Sequence, residues 1–353
     1  MVNFSLKGKT AVVTGGAQGL CNAIARAFHE AGAIVALVDV SDKVVEAAAQ
    51  MSTPEAPVYY AKGDLTDTAN LPKLVDECQQ KLGGRIDILL NGAGIQFRCK
   101  AEDFPADRWE SIIRINLSSV FFMAQEVGRR MIAQGSGKII NIASMCSFFG
   151  STMIPAYTAS KGGVAQLTKA LSNEWAGKGV TVNAIAPGYM ITKLTENMKE
   201  VNPQGYAEIT GRIPMGRWGL PEDLEGTAVF LASQASDYVS GAIIPVDGGY
   251  LGKCAFGHNG DRKTRVAGLH TDEDHVRANQ AIADEDRKHD LEDRQTARAQ
   301  HAADHQARHA DHAARPDHRD GRPALPLFGL DFKSGALFFH LENLLSVKEY
   351  GIL

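Results

Sequence analysis

The sequence has little net charge, because 37 lysines and arginines nearly balance 41 aspartates and glutamates and leave a formal charge of −4 at pH 7. A protein that binds nucleic acid or an anionic membrane surface usually presents a clear basic excess. The composition therefore gives no electrostatic basis for either partner and favours a small neutral or anionic ligand.

Cysteines and long apolar segments are also scarce. The cysteines form no CxxC pair, which is typical of reduced thiols in the cytoplasm and predicts neither a disulfide framework nor a metal site. They are Cys21, Cys78, Cys99, Cys146 and Cys254. No run approaches the roughly 20 apolar residues that span a bilayer, and the N-terminus lacks the apolar core of a secretory signal, so we expect a cytoplasmic protein without membrane contact.

Histidine is almost absent from the first part of the chain, since ten of the eleven histidines follow residue 253. This change predicts a globular domain over residues 1–252, a charged segment rich in His, Ala, Asp and Arg over 253–323, and an apolar tail over 324–353. The charged segment has too few large apolar side chains to offset chain entropy, so we expect disorder. The tail is compatible with one amphipathic helix, although a frame-shifted gene would give a similar mismatch.

Three histidines of the charged segment, His301, His305 and His309, recur every four residues and would form a stripe on a helix. A stripe of this kind can hold a soft metal ion. No cysteine or second ligand cluster accompanies it, so we predict no metal.

Short apolar runs alternate with helical patterns along residues 10–246. The runs are Thr10–Thr14, Ile34–Val38, Val58–Ala61, Ile86–Leu90, Lys138–Ala143, Thr181–Ile185 and Ala242–Val246. The helical patterns cover residues 23–31, 42–51, 68–82, 107–134, 156–177 and 221–233. Strands separated by helices indicate βαβ units, so we predict an α/β fold with a doubly wound, Rossmann-type parallel sheet of seven strands and a C-terminal extension of low order.

Ligands of such sheets bind at the carboxyl ends of the strands. Several polar or glycine residues follow directly after the predicted strands: Gly15 and Gly19, Asp39, Asp64, Asn91–Gly94, Ser144, and Pro187–Gly188. The sequence therefore predicts one ligand-binding edge.

Glycines after the first strand allow backbone amides to approach a pyrophosphate at a helix N-terminus. A tight turn alone would also need glycine. Asp39, about twenty residues further on, can hold the ribose hydroxyls of NAD and would repel the 2′-phosphate of NADP. No arginine or lysine at Gly16, Val40 or Ser41 could accept that phosphate, so NAD is favoured, although Asp39 could instead cap a helix.

Tyr157 and Lys161 are four residues apart, which places them one turn apart on one face of a helix. An ammonium group near a phenol favours the phenolate, so we expect Lys161 to lower the pKa of Tyr157. Ser144 would hold a substrate oxygen beside that phenol. The pattern alone also occurs by chance on surface helices.

Taken together, these motifs resemble the short-chain dehydrogenase/reductase family over residues 5 to about 252. The residues that match the family patterns are Thr14, Gly15 and Gly19 in the first turn, Asn91, Ala93 and Gly94 in the Asn-Asn-Ala-Gly turn, and the tetrad Asn116, Ser144, Tyr157 and Lys161. The resemblance implies a homotetramer, for which residues 242–249 are a candidate contact surface.

The resemblance also implies a mechanism. Tyr157 would exchange a proton with the substrate alcohol while hydride passes between substrate and nicotinamide, and Lys161 would hold the nicotinamide ribose. Asn116 would position a water that relays protons, although it could simply bond backbone within a helix. The implied cofactor-binding residues are Gly15, Gly19, Leu20, Asp39, Asp64, Leu65, Asn91, Ala93, Gly94, Tyr157, Lys161, Pro187, Gly188 and Thr192.

Two residues depart from the family pattern. Cys21 replaces the third glycine of the first turn, where a side chain could push the helix outward and weaken cofactor binding. Gly92 replaces the second asparagine of the other turn and removes a hydrogen-bonding group.

Within the family, four segments are most similar to the 2-deoxy-D-gluconate 3-dehydrogenase and gluconate 5-dehydrogenase group. They are residues 138–145, 173–176, 184–190 and 212–219. The likeness implies a sugar acid or polyol as substrate. A carbonyl reductase for an acyl or secondary-metabolite ketone fits the same tetrad, and an NAD-binding scaffold without activity is a third possibility.

Arg98 follows the fourth predicted strand and would meet a substrate carboxylate, although a solvated or intersubunit arginine is equally compatible. The other residues that we expect in the pocket are Met145, Cys146, Tyr189 and Met190. The segment 193–211 lies between Pro187 and Pro214 and is expected to be a loop that acts as a lid.

Overall fold

The computed structural model of this protein describes residues 3–193 and 195–253. These residues form a parallel sheet of seven strands in the order β3-β2-β1-β4-β5-β6-β7. The strands are β1 Thr10–Thr14, β2 Ile34–Asp39, β3 Val58–Lys62, β4 Ile88–Asn91, β5 Gly137–Ile142, β6 Val180–Pro187 and β7 Ile243–Val246. The predicted doubly wound sheet is confirmed. The predictions for the charged segment, the apolar tail, the histidine stripe and Cys254 lie outside the described residues.

The strand order reverses between β1 and β4, which pair through Ala11 with Ile88 and Val13 with Leu90. In a doubly wound sheet this reversal opens a crevice at the carboxyl ends of the two strands. Every residue of β1 is buried, because both faces of the central strand are covered. Successive side chains alternate between the faces, so that Val13 joins one apolar layer and Val12 joins the other.

Helices cover both faces of the sheet. They are α1 Gly19–Glu30, α2 Lys43–Met51, α3 Leu71–Lys81, α4 Ala106–Ile113, α5 Ser119–Gln134, α6 Pro155–Trp175, α7 Met198–Val201, α8 Pro203–Arg212 and α9 Glu225–Ala232. Apolar residues of α1, α2 and α9 pack in one layer, and those of α3, α5 and α6 pack in the other. This burial supplies the main stabilisation of the domain.

The helix predicted over residues 107–134 is continuous in the structure, but it contains a π-helical turn at Arg114–Ser118 between α4 and α5 that was not predicted. The apolar periodicity continues through that turn and gives no signal of it. π turns occur frequently at functional sites, and this one carries Asn116.

The lid segment also differs from its predicted form, since it contains α7 and α8 rather than an irregular loop. Pro203 occupies the first turn of α8, where its missing N–H costs nothing. The side chain of Asn202 accepts a hydrogen bond from the Gly205 amide at 3.0 Å and caps the helix. Among the helices of the described residues, none combines the length and the apolar character needed to cross a membrane.

Candidate active site

Ser144, Tyr157 and Lys161 meet at the carboxyl end of β5. Ser144 lies two residues after the end of the strand, and Tyr157 and Lys161 lie in the first two turns of α6. The hydroxyl of Ser144 lies close enough to Tyr157 to lower the pKa of its phenol, and it accepts a hydrogen bond from the Cys146 amide at 3.1 Å. The Lys161 ammonium stands 5.6 Å from the centre of the Tyr157 ring. The predicted constellation is thus assembled in the fold.

The expectation that Lys161 lowers the pKa of Tyr157 is wrong for this structure. Burial of the phenol hydroxyl raises the pKa of Tyr157 to about 12, although part of the ring remains open to solvent, and only the nearby Ser144 hydroxyl acts in the opposite direction. Lys161 is itself buried, which lowers the pKa of its ammonium to about 8. Its Nζ atom donates to the Ile142 carbonyl at 2.7 Å rather than to the phenol.

Asn116 is fully buried in the π turn. Its Oδ1 atom accepts from the Ile95 amide at 2.8 Å, and its Nδ2 atom donates to the Ile95 carbonyl at 2.8 Å. Nδ2 also contacts the Ser160 hydroxyl at 3.3 Å. The side chain therefore links the loop after β4 to the helices. These bonds agree with the alternative in which Asn116 binds backbone groups, and its role in positioning a water stays a prediction.

The turn after β1 has the shape that a dinucleotide needs. Gly15 and Gly19 have left-handed backbones, with φ of 70° and 66°. A Cβ atom on Gly15 would lie 2.9 Å from the Cα atom of Ala93, whereas one on Gly19 would have no neighbour within 4 Å. The first glycine thus permits close packing of two turns, and the second leaves open space at the N-terminus of α1, where a pyrophosphate would be favoured.

Asp39 ends β2 beside this turn. Its carboxylate accepts hydrogen bonds from the Ala17 amide at 3.1 Å and from the Ser41 amide at 3.0 Å. These bonds fix the carboxylate at the ligand edge and do not cap α2, which begins at Lys43 without a side-chain cap. The remaining lone pairs of its oxygens are available to ribose hydroxyls. The residues present fit a nicotinamide dinucleotide.

Asn91 and Thr14 hold the crevice together. Asn91 is buried, and its Nδ2 atom donates to Asn141 Oδ1 at 3.0 Å, so its side chain joins β4 to β5. The Thr14 hydroxyl accepts from the Gly92 amide at 3.0 Å and donates to the Leu90 carbonyl at 3.3 Å. The sequence marks Thr14 only as part of a motif, because its linking role depends on the pairing of β1 with β4.

The other predicted cofactor residues lie along the same edge with different exposure. Gly94 is exposed, and a Cβ atom there would lie 3.9 Å from Lys161 Nζ. Asp64 is exposed and accepts from the Thr66 amide, whereas Leu65 is buried and Leu20 packs against the core. At the end of β6, Pro187 is buried, a Cβ atom on Gly188 would strike the Asp247 backbone at 2.6 Å, and the Thr192 amide donates to Thr195 Oγ1.

Aromatic side chains lie beside the site, where the sequence predicts the substrate pocket. Tyr189, Trp218, Tyr206 and Tyr250 contact one another, with ring centres 4.9–5.6 Å apart. Met145 is buried within this group of side chains, and Met190 is buried in a core layer. Cys146 is half-buried and lies close enough to influence both Tyr157 and Tyr189 electrostatically. It therefore marks the junction between the catalytic residues and the aromatic cluster, which we define as Tyr189, Tyr206, Trp218 and Tyr250.

Arg98 lies within electrostatic reach of Tyr189, and its Nε atom is buried without a hydrogen-bond partner in the described structure. Unpaired buried donors are rare in folded proteins, because each costs about 1–3 kcal/mol. Arg212 and Trp218 also belong to this side of the site and were not singled out from the sequence. Trp218 occurs in a segment used only for family likeness, and no motif marks Arg212.

Comparisons with known proteins agree with this geometry. A family model described as enoyl-(acyl carrier protein) reductase matches residues 15–251. The 2-dehydro-3-deoxy-D-gluconate 5-dehydrogenase of Bacillus subtilis (strain 168) is 46% identical over 252 residues, which are 71% of this chain and 97% of that protein. The NAD-dependent glycerol dehydrogenase of Listeria innocua serovar 6a is 39% identical over 248 residues, 70% of this chain and 96% of that protein.

A solved structure is also similar, that of a gluconate 5-dehydrogenase from Burkholderia cenocepacia J2315 in complex with NADP and tartrate. It is 38% identical, has a TM-score of 0.68, and covers 72% of this chain and 99% of its own. Such identity extends over nearly the whole of each relative. The chain therefore belongs to the short-chain dehydrogenase/reductase family, the oxidoreductases that use a nicotinamide cofactor on CH–OH groups.

Proposed function

We propose that this protein oxidises a secondary alcohol of a sugar acid, or reduces the matching ketone, with NAD(H). The observation that carries the proposal is the meeting of the Ser144 hydroxyl, the Tyr157 phenol and the buried Lys161 ammonium, whose Nζ atom lies 5.6 Å from the centre of the Tyr157 ring. A phenol in such a place can exchange a proton with a substrate hydroxyl while the neighbouring hydroxyl orients the oxygen.

In the oxidative direction, the substrate oxygen would accept a hydrogen bond from Ser144 and release its proton toward Tyr157. The nicotinamide, when bound, supplies the acceptor for the hydride that leaves the same carbon. Lys161 lies against the Tyr157 ring, and its positive charge would offset the negative charge that develops on the oxygens. The buried setting strengthens each of these interactions, because little water screens them.

Arg98 supports a carboxylate-bearing substrate. Its buried Nε–H lacks a partner, and a guanidinium group matches the two oxygens of a carboxylate. The names of two similar proteins, which act on 2-dehydro-3-deoxy-D-gluconate and on gluconate, favour the same chemical class. Because another similar protein is named as a glycerol dehydrogenase, a neutral polyol is the substrate with which a sugar acid should be compared.

We further propose NAD rather than NADP as the preferred cofactor. Asp39 places a carboxylate where it would repel a 2′-phosphate, and nearby Lys62 is engaged with Asp42 at 2.5 Å. One similar protein is named as NAD-dependent and another was solved with NADP, so cofactor choice varies among these relatives.

We also propose assembly into a homotetramer through the β7 region. β7 ends the sheet, and its residues Ile243, Ile244 and Val246 are only half-buried in the single chain. Half-exposed apolar side chains on an outer strand suit a contact with another subunit.

The test follows NADH in both directions with one panel, as formation of NADH from NAD with sugar acids and matched polyols, and as consumption of NADH with apolar ketones. We expect turnover of at least one sugar acid, and a loss of about 10²–10⁴-fold in kcat for Tyr157→Phe with unchanged unfolding temperature. Tyr238→Phe, at a fully exposed tyrosine, is the matched control. Full turnover by Tyr157→Phe would refute the mechanism, and NAD binding without any turnover would favour a scaffold.

The second candidate is reduction of an apolar acyl or secondary-metabolite ketone. The aromatic cluster favours it, because stacked rings accommodate an apolar chain well. An arginine with an unpaired buried N–H argues against it. Preference for an apolar ketone over sugar acids in the same panel would select this alternative.

A further inference from the structure

Arg212 ends α8 on the substrate side of the site, and no role has so far been given to it. Its guanidinium carbon lies 4.5 Å from the centre of the Tyr250 ring. Tyr250 is 5.6 Å from Tyr189, centre to centre. The Arg212 cation thus lies against the same aromatic cluster that Arg98 influences, although Arg212 comes from α8 and Arg98 from the loop after β4.

The two arginines act on one group. Burial raises the pKa of Tyr189, whereas the charges of Arg98 and Arg212 both act in the opposite direction. Within residues 3–193 and 195–253, neither arginine forms an ion pair with a carboxylate. Both cations therefore lie within electrostatic reach of Tyr189, and neither is paired with a carboxylate within the described residues.

The polar groups around this point are mainly donors. Arg98 Nε is buried and unpaired, and so is Nε1 of Trp218, a residue with 3% of its surface exposed. Guanidinium and indole groups donate hydrogen bonds and cannot accept them. Such a set is satisfied by a ligand end that only accepts, and a carboxylate has that property.

The main chain beside Arg212 is held in place, whereas the Arg212 side chain can change its rotamer. The end of α8 is fastened by Lys253, whose Nζ atom donates to the Gly211 carbonyl at 2.5 Å. The side chain itself is exposed, and an exposed cation–π contact is worth only about 0.5–1 kcal/mol. A ligand carboxylate can therefore draw the guanidinium from the Tyr250 ring at little cost.

We propose that Arg212 and Arg98 together hold the carboxylate of the substrate beside Tyr189, so that Arg212 determines the preference for an acid over a neutral polyol. The proposal rests on the function proposed above, because it assigns the acid end of that same substrate. It also makes α8 part of the binding site, so that the segment carrying Arg212 covers an acidic substrate more firmly than a neutral one.

The experiment compares Arg212→Gln, Arg98→Gln and the unaltered enzyme on D-gluconate and on the alditol of equal chain length. We expect Arg212→Gln to reduce the ratio of kcat/KM for acid over alditol about 10–100-fold, mainly through KM, because a hydrogen bond to a charged group is lost. Arg212→Lys should recover part of that ratio, since it restores the charge without the fork. Lys178→Gln is the control, because Lys178 is exposed and precedes β6 at the opposite edge of the sheet.

The outcomes separate this proposal from the proposed function. Turnover of gluconate with an unchanged acid-to-alditol ratio in Arg212→Gln would overturn the role of Arg212 and leave the function intact. If gluconate is not oxidised, its inhibition of alditol oxidation is measured. An inhibition constant that rises at least 10-fold in Arg212→Gln would support the carboxylate site while refuting the substrate, and absence of inhibition would refute both.

Discussion

The Sγ atom of Cys21 occupies the space that a side chain at position 92 would require. A Cβ atom built on Gly92 falls far inside contact distance of that sulfur. Cys21 is buried in the first turn of α1, and Gly92 follows β4, so the two meet across the pairing of β1 with β4. The two departures from the family pattern are thus one structural feature, in which a larger residue on one turn requires a smaller one on the other.

We predict that Gly92→Asn alone destabilises the protein by about 1–3 kcal/mol, because the added side chain overpacks against Cys21. Cys21→Gly on its own leaves a small void, whereas the double variant Cys21→Gly/Gly92→Asn should recover most of the loss. The measurement is the free energy of unfolding in urea for all four proteins of the cycle. The affinity for NAD, measured on the same four proteins, shows whether a loss of stability is accompanied by a change in the cofactor-binding turns.

Gly226→Ala is the control for the added side chain, because a Cβ atom at that exposed position of α9 has no neighbour within 4 Å. It should leave stability unchanged or raise it slightly. Additive effects of the two substitutions at Cys21 and Gly92 would contradict the coupling.

Lys161 is predicted to make the stability of the fold depend on pH. Its ordinary pKa of 10.5 falls to about 8 in the folded protein because burial penalises the charge. Below about pH 8 both states carry the proton, and the folded state bears the full cost of the buried ammonium. Between pH 8 and 10.5 only the unfolded state holds the proton, so the free energy of unfolding rises with pH.

The measurement is urea unfolding of the unaltered protein and of Lys161→Met between pH 7 and pH 10. We expect the difference between them to change by about 2–3 kcal/mol in favour of the unaltered protein over this range. Loss of the hydrogen bond to Ile142 adds an offset that does not vary with pH. Buried Cys78 acts equally in both proteins and cancels. Burial raises the pKa of Cys21 and the charge of Lys161 lowers it, so Cys21 contributes to the difference together with Lys161.

Lys169→Met is the matched control, because Lys169 lies on the same helix with an exposed side chain. A difference between the unaltered protein and Lys161→Met that stays constant with pH would show that the ammonium is not buried as described.

The sequence was sufficient for those features that repeat or that lie close together along the chain. Alternation of apolar runs with helical patterns predicted all seven strands, since the buried strands of a parallel sheet are continuous in their apolar character. The spacing of Tyr157 and Lys161 predicted their shared helix for the same reason, because helical geometry depends only on local sequence.

Features that depend on distant contacts could not be predicted in this way. The pKa of Tyr157 follows from how deeply the fold buries its hydroxyl, and a four-residue spacing contains no information on burial. The contact between Cys21 and Gly92 exists only because β1 lies beside β4. The π turn at Asn116 changes the backbone hydrogen bonding without changing the apolar pattern, so the sequence predicted only a regular helix there.

Asp39 provides a test of cofactor choice. Asp39→Asn removes the charge that would repel a 2′-phosphate while keeping an oxygen that can accept from the Ala17 or Ser41 amide. We expect the ratio of kcat/KM for NAD over NADP to fall about 10–100-fold, which corresponds to about 1–3 kcal/mol. The measurement is the initial rate with each cofactor at saturating substrate.

Glu46→Gln is the control for this variant, because Glu46 is an exposed carboxylate on α2 that accepts a hydrogen bond from Gln50 and leaves the pair of Lys62 with Asp42 intact. Its substitution should change the ratio little. A ratio that does not move in Asp39→Asn, or a preference of the unaltered enzyme for NADP, would contradict the assignment.

We expect Asn116 to support catalysis by holding the loop after β4 in place through its two hydrogen bonds with Ile95. Variants that remove one or both of these bonds can separate this structural role from a direct role in proton transfer. Asn116→Ala leaves both the amide and the carbonyl of Ile95 unpaired, at a cost of about 1–3 kcal/mol for each group that stays buried. Asn116→Asp can still accept from the amide, but its second carboxylate oxygen would face the Ile95 carbonyl in a fully buried site, where an uncompensated charge costs more than an unpaired neutral group. Stability should therefore decrease in the order Asn, Ala, Asp.

The same loop carries Gly94, where a Cβ atom would lie 3.3 Å from Asn116 Oδ1 and 3.9 Å from Lys161 Nζ. Loosening the loop should therefore raise the KM for NAD along with the loss of stability, and the two effects should follow the same order across the variants. Urea unfolding and cofactor kinetics on the three proteins provide the check. A large fall in kcat for Asn116→Asp with unchanged stability and unchanged KM for NAD would instead indicate a direct part in proton transfer.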